Sequence, residues 1–152
     1  MKYNIIKADM TADSVRRTVA ELAAKVYSAA AEELDKEFAQ RKERFEAEDA
    51  CCFLCKAGEK AIGFAEMSIR YEYVNGTETS PVGFLEGIFV EEPCREEGIA
   101  RKLAECCEKF AAEHGCRQMA SDCLAENTGS EKFHKSCGYE ETERVICFVK
   151  NL

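Results

Sequence analysis

The chain has 152 residues, 46% hydrophobic and 33% charged, with a formal net charge of −8. That length supports one domain with its own core, so a single domain over residues 1–152 is expected. The charge argues against a nucleic-acid backbone or an anionic membrane as main partner. No apolar run nears the ~20 residues of a membrane span, and Met1–Asp9 lacks the apolar segment of a secretory signal, which points to the cytoplasm.

Tyr3–Lys7 reads as a short strand. Thr11 or Asp13 is placed to cap a helix running to about Tyr27, with Val15, Val19, Leu22, Ala23 and Val26 on one face. A highly charged second helix over about Ala30–Ala47 carries Leu34, Phe38, Arg41 and Phe45 near helical spacing. Cys51–Ala57 and Ala61–Tyr73 flank Gly58-Glu59, a two-residue hairpin signal. Asn75-Gly76 marks a turn, Thr77–Pro81 a loop, and Val82–Val90 a further strand. A helix opens at Gly98 and runs to about His114, with Ile99, Leu103, Cys106 or Cys107, and Phe110 facing a sheet and Gly115 past its end. A short strand at Gln118–Asp122, a helix at Ser130–Cys137 and a terminal strand at Tyr139–Lys150 complete the order β-α-α-β-β-β-α-β-α-β. This is an α/β chain with a mixed, mostly antiparallel sheet flanked by helices.

Ten cysteines invite a metal or redox reading. Only Cys52-x-x-Cys55 has the spacing, no second pair completes it, and it lies in an alternating apolar run where cysteine behaves as a small hydrophobe. Without a secretory signal a disulfide framework is not expected, and neither is a metal. A zinc or redox protein built on this pair ranks last among the readings.

The segment with most chemistry is Val90-Glu-Glu-Pro-Cys-Arg95-Glu-Glu-Gly98-Ile-Ala100-Arg101. A small-residue turn at a helix start bares backbone N–H groups at the positive end of the helix dipole, which suits a phosphate-bearing ligand. In isolation such a turn is more often an ordinary helix start. Glu86 is the second feature. It interrupts the apolar strand Gly83-Phe-Leu-Glu-Gly-Ile-Phe-Val90, where a carboxylate is costly unless it has a partner or a purpose; simple alternation could also turn it to solvent.

Arg95-x-x-Gly98-x-Ala100 after a strand, followed by Asn127…Phe133-His134-Lys135-x-x-Gly138-Tyr139, resembles the GCN5-related N-acetyltransferase (GNAT) superfamily over nearly the whole chain. The segment Gly63–Val90, with Tyr71-Glu-Tyr-Val-Asn-Gly-Thr-Glu-Thr-Ser-Pro-Val-Gly83, is similar to the aminoglycoside 6′-N-acetyltransferases. So are Ala120-Ser-Asp-Cys123 and Arg144–Leu152. The resemblance implies the GNAT fold and acetyl transfer from acetyl-CoA to the 6′-amine of an aminoglycoside, with resistance as the outcome and no metal.

On that resemblance, Arg95, Glu96, Glu97, Gly98, Ile99, Ala100 and Arg101 hold the pyrophosphate of acetyl-CoA, the two glutamates through backbone alone. Ile88, Phe89 and Val90 run beside the pantetheine arm, where a backbone N–H polarises the thioester carbonyl, and Asn127 bonds that arm. A polycationic acceptor needs carboxylates and one amine that loses its proton. Glu86 is expected as the base, directly or through water. Glu72, Tyr73, Glu78, Asp122 and Glu143 are expected as acceptor contacts. His134 stands where many relatives place a tyrosine acid for the departing thiolate. Without the resemblance Asn127 and Asp122 read as capping residues, Glu143 as part of a solvated charge cluster and His134 as a surface histidine. The same acidic cleft would suit a polyamine-like acceptor, and a non-catalytic acyl-CoA-binding module shares the fold. The apolar run Val145–Val149 would be a liability at a sheet edge. Relatives are often dimers, some exchanging this strand, so a homodimer is expected.

Overall fold

The computed structural model describes all 152 residues. Its centre is one five-stranded sheet in the order β1 (Asn4–Lys7), β2 (Ala50–Ala57), β3 (Lys60–Arg70), β4 (Val82–Val90) and β5 (Met119–Ser121). The first four strands pair antiparallel; β5 joins β4 in parallel, as a crossover through a helix requires. Helices α1 (Asp13–Ala23), α2 (Ala31–Gln40), α3 (Lys42–Glu46), α4 (Ile99–Glu113) and α5 (Thr128–Ser136) complete the chain.

The helices that cover the sheet are placed by their apolar residues. Ile99, Leu103, Cys107, Phe110 and Ala111 of α4 are buried against Cys51, Cys55, Ala65, Met67, Ile69 and Leu85 on one face of the sheet. On the other face Val19, Leu22 and Ala23 of α1, with Leu34, Phe38 and Phe45, are buried against Cys52, Leu54 and Phe64. The strand period of two sorts the residues: Cys51 and Cys55 join the α4 side while Cys52 joins the other. Cys52 and Cys55 therefore lie on opposite faces and do not converge on one ion.

Three expectations are corrected. The single helix over 30–47 is two, broken at Arg41, whose φ of −97° and ψ of 17° leave the helical range. Neither Thr11 nor Asp13 caps α1. Ala12 holds the N-cap position, and the Thr11 side chain turns back to Asp9. The terminal strand is the largest departure. Residues 139–152 form no strand, and their only backbone hydrogen bond runs from Tyr139 N–H to the His134 carbonyl. A strand exists only where a partner offers a ladder, and no segment of the same chain lies alongside. Ile146, Phe148 and Val149 are consequently 80–94% exposed.

Candidate active site

Strand β4 carries an irregularity at its middle. Met67 pairs with Leu85 and Glu66 with Gly87, so adjacent residues of β3 face residues two apart on β4, and Glu86 is the extra one. This β-bulge leaves both Glu86 and Gly87 on the α1–α2 face, the side of Glu66, Ser68 and Arg70. Glu86 reaches that face by alternation from Leu85, which pairs with Met67 under α4, and the extra residue keeps Gly87 on the same face instead of turning it to α4. Glu86 is half-buried. Its Oε1 accepts from Ser68 Oγ at 2.6 Å and from Arg70 Nη2 at 2.8 Å. Its Oε2 has no hydrogen-bond partner within the chain.

Beside it lies a group that sequence reasoning passed over. Glu66 is 3% exposed. Its Oε1 accepts from the Tyr27 hydroxyl at 2.8 Å and its Oε2 from Arg41 Nη1 at 3.0 Å. Burial pushes the Glu66 carboxyl above its ordinary range, and Arg41 and Tyr27 pull part of the way back. The Tyr27 phenol is raised, first by burial and then by the charge of Glu66, so it stays protonated. Tyr27 arrives from the turn after α1 and lies directly on Gly87. A Cβ there would be 2.1 Å from the phenolic oxygen, so only glycine fits. Arg41, at the α2–α3 break, lies over Phe38 and Phe45 at 5.1 and 5.8 Å. Tyr27, Glu37, Arg41, Glu66 and Glu86 line an open cleft of about 420 Å³ with three carboxylates and one guanidinium. The missed signal is readable in retrospect: Glu66, Ser68 and Arg70 put three polar groups at alternate positions of an apolar strand, a polar stripe on one face.

Pairing between β4 and β5 ends at Leu85↔Ser121, whereas β4 continues to Val90. The backbone of Glu86–Val90 is thus open along one edge, Ile88 packs to the α4 side and Phe89 to the other. Asp122, exposed, follows the last paired residue of β5 as Glu86 follows its partner on β4. The Ser121 hydroxyl lies 3.0 Å from the Leu85 carbonyl and 2.7 Å from His134 Nε2. His134 Nδ1 is 2.7 Å from the Ser130 carbonyl, which only accepts, so that nitrogen carries a hydrogen. Asn127 caps α5, its Oδ1 accepting from Ser130 N–H at 3.1 Å.

At the C-terminal end of β4 the turn is wound by two left-handed residues, Glu96 (φ 70°) and Gly98 (φ 75°). Gly98 is the N-cap of α4 and offers no side chain. The first helical bond joins Lys102 N–H to the Gly98 carbonyl, leaving the N–H groups of Ile99, Ala100 and Arg101 without intrahelical partners. Glu96 and Glu97 are exposed and their backbone N–H groups form no backbone hydrogen bond. The two arginines are less free than charge alone suggests. Arg95 Nε bonds the Val90 carbonyl at 2.9 Å and its guanidinium lies 5.5 Å from the Phe89 ring. Arg101 Nη2 bonds the Ser136 carbonyl at 2.7 Å, tying α4 to the end of α5.

Glu72, Tyr73 and Glu78 lie at the opposite end of β4, exposed on the loop 71–81. Gln118 Oε1 fixes that loop by accepting from the N–H groups of Glu78 and Thr79 and from Thr79 Oγ1. Gly76 abuts the Thr142 side chain, so the loop meets the tail one residue before Glu143, itself exposed. The expected residues therefore flank β4 from both ends, with the bulge between them.

The GNAT acetyltransferase family pattern matches residues 16–139. The chain is 47% identical over 116 residues to an aminoglycoside N(6′)-acetyltransferase type 1 of Salmonella typhimurium, covering 76% of this chain and 80% of that one. Its structure superposes on AAC(6′)-Iy, solved in complex with the bisubstrate analogue CoA-S-monomethyl-acetylneamine, with a TM-score of 0.87 at 37% identity over 100% of both chains. It likewise matches AAC(6′)-Ih from Acinetobacter baumannii with a TM-score of 0.88 at 36% identity over 99% of each. With a family pattern spanning most of its length and relatives close to half identical, the chain belongs to the GNAT acetyltransferases and, within them, to the aminoglycoside 6′-N-acetyltransferases.

Proposed function

We propose that the open edge of β4 transfers acetyl from acetyl-CoA to the 6′-amine of an aminoglycoside, and that Glu86 is the base. The observation that carries this is Glu86 at the bulge: one carboxylate, held by Ser68 and Arg70 and with Oε2 free, stands in a cleft where β4 and β5 part. The turn at 95–101 takes the pyrophosphate on backbone N–H groups, and β4 runs beside the pantetheine arm. The 6′-ammonium loses one proton to solvent, and Glu86 takes the second, directly or through water, as the C–N bond forms. The amine nitrogen attacks the thioester carbonyl carbon, whose oxygen is met by a backbone N–H of the open edge. The C–N bond forms and the C–S bond breaks. The thiolate leaves and takes up a proton, for which His134 is the candidate donor. Asp122, Glu72, Tyr73, Glu78 and Glu143 receive the remaining rings of the polycation; the names of the relatives, and the neamine portion of the analogue bound by AAC(6′)-Iy, support that acceptor.

The test is acetyl-CoA-dependent thiol release across a panel of 6′-amino aminoglycosides and polyamines. Turnover is expected with the aminoglycosides and lost in Glu86→Gln with acetyl-CoA binding retained. Turnover of polyamines alone would move the acceptor, and none at all by a folded, CoA-binding protein would leave a binding module. Expressed in a susceptible bacterium, the chain should raise the inhibitory concentration of the antibiotics it acetylates.

The working unit we propose is one domain acting in the cytoplasm as a homodimer. No helix is long and apolar enough to cross a membrane. The bare run Val145–Val149 and the free outer edge of β5 support pairing with a second copy. Sedimentation at micromolar concentration is expected to give twice the chain mass; a monomer overturns the assembly.

A further inference from the structure

The Tyr27 hydroxyl has one hydrogen, and the structure commits it. The only acceptor within reach of that hydroxyl in the chain is Glu66 Oε1, at 2.8 Å. Glu66 is held in turn by Arg41 on its other oxygen. With the hydrogen directed away, the phenolic oxygen keeps its lone pairs for another donor. That oxygen lies on Gly87, the residue after Glu86, and Tyr27 lines the same cleft as Glu86 and Glu66. An amine entering the cleft meets two acceptors that line it: the free Oε2 of Glu86 and the phenolic oxygen of Tyr27. A neutral primary amine has two N–H bonds and needs two acceptors, one to take a proton as the C–N bond forms and one to orient the nitrogen lone pair toward the thioester.

We propose that Tyr27 is a further acceptor-binding residue: its oxygen, orientated by Glu66, accepts an N–H of the attacking amine and favours a primary amine over one with a single N–H. This rests on the β4 cleft being the acceptor site. Glu66, by contrast, has both oxygens occupied and touches no reacting atom; it is a positioning residue that acts through Tyr27. The arrangement accounts for a carboxylate that is otherwise an expense, buried at 3% exposure in an apolar strand.

Tyr27→Phe keeps the ring, including its edge contact with Phe64 at 6.5 Å, and removes only the oxygen. The experiment measures kcat and KM for a 6′-amino aminoglycoside and for its 6′-N-methyl derivative, with acetyl-CoA varied separately and Tm recorded. In Tyr27→Phe, kcat/KM for the primary amine is expected to fall at least ~10-fold. KM for acetyl-CoA should stay within about twofold, and the preference for the primary over the N-methyl amine should shrink. A drop in Tm with acceptor kinetics and preference unchanged would make Tyr27 a packing residue and overturn the proposal. Glu66→Ala frees the hydroxyl to rotate, so Tyr27→Phe/Glu66→Ala should be no slower than Tyr27→Phe alone; multiplicative losses overturn the positioning role. If Glu66→Ala does not fold, Glu66→Gln, which retains an oxygen for Tyr27, should keep the parent's amine preference, and loss of that preference counts against the role. Glu86→Gln run alongside separates the failures. A parent that turns over, a dead Glu86→Gln and a Tyr27→Phe equal to the parent sink the Tyr27 inference alone, whereas a parent without turnover sinks the reading of the cleft as well.

Discussion

The two faces of the central sheet solve opposite problems with the same strands. Toward α4, Met67, Ile69, Leu85 and Val90 meet Leu103, Cys107 and Phe110, and no charged side chain is buried among them. Toward α1 and α2, Phe64 gives way along β3 to Glu66, Ser68 and Arg70, and the bulge adds Glu86. One face supplies cohesion that does not depend on direction. The other spends part of that cohesion to hold carboxylates in fixed orientations, Glu66 bonded on both oxygens and Glu86 on one. The division teaches that stability and activity should be separable by mutation here, although the residues involved alternate along single strands.

The sharpest way to break this division is Glu86→Gln. It exchanges one atom on the functional face, and kcat should fall by about 10²–10³-fold, as for loss of a general base, with Tm nearly unchanged. Leu103→Ala tests the other face. Leu103 is fully buried, and its truncation should cost about 2–5 kcal/mol in denaturant unfolding while kcat at 25 °C stays near the parent value. If Leu103→Ala instead removed activity at a temperature where the protein is folded, the faces would be coupled and the comparison would fail. Gly98→Ala lies between the two. Its φ of 75° forces a side chain into the left-handed region, at a cost of roughly 1 kcal/mol. A matching rise in KM for acetyl-CoA, with KM for the acceptor unchanged, is expected from steady-state kinetics.

The smallest effect concerns the rim of the α4 face. His114 stacks on Phe110 with centroids 4.0 Å apart and bonds Glu48 through Nε2. Its pKa is raised above the ordinary 6.5, first by the Glu48 hydrogen bond and then by the Phe110 carbonyl. A raised pKa means that the folded state binds the proton more tightly. The contribution is therefore complete below pH 6.5 and lost as pH rises through the folded value. His114→Gln should lower Tm most in that acidic range, with the deficit closing at alkaline pH, and should leave kcat unchanged at every pH.

Much of this was legible in the chain. The apolar stripe Ile99, Leu103, Phe110 announced α4 and its face, and the hairpin at Gly58-Glu59 set β2 against β3. The Gly98 turn was readable because few other patterns bare backbone N–H groups at a helix start. Glu86 stood out as a lone carboxylate in an apolar strand. What could not be read were properties of pairs. The bulge is a statement about two strands, and nothing in β4 alone says that Gly87 and not Glu86 faces Glu66. Tyr27 and Arg41 looked like a helix end and a mid-helix charge, because their partner lies on a strand 25 to 39 residues away. The tail reads as a strand by composition, yet strand formation is decided by a neighbour that this chain does not provide. The charges of Arg95 and Arg101 were legible and the carbonyls that engage them were not.

The bulge has a consequence for the gene. In most of a domain an in-frame loss of one codon is damaging in a loop-independent way, through broken packing. Between Leu85 and Gly87 the spacing itself carries information, because Glu86 is the extra residue, and Leu85 and Gly87 on either side of it pair with the adjacent Met67 and Glu66. A variant lacking a single codon there could straighten β4 and restore an unbroken ladder. It would be a well-folded protein from which the proposed base is missing. Libraries that sample length as well as identity would find it, and selection on an antibiotic would discard it at once.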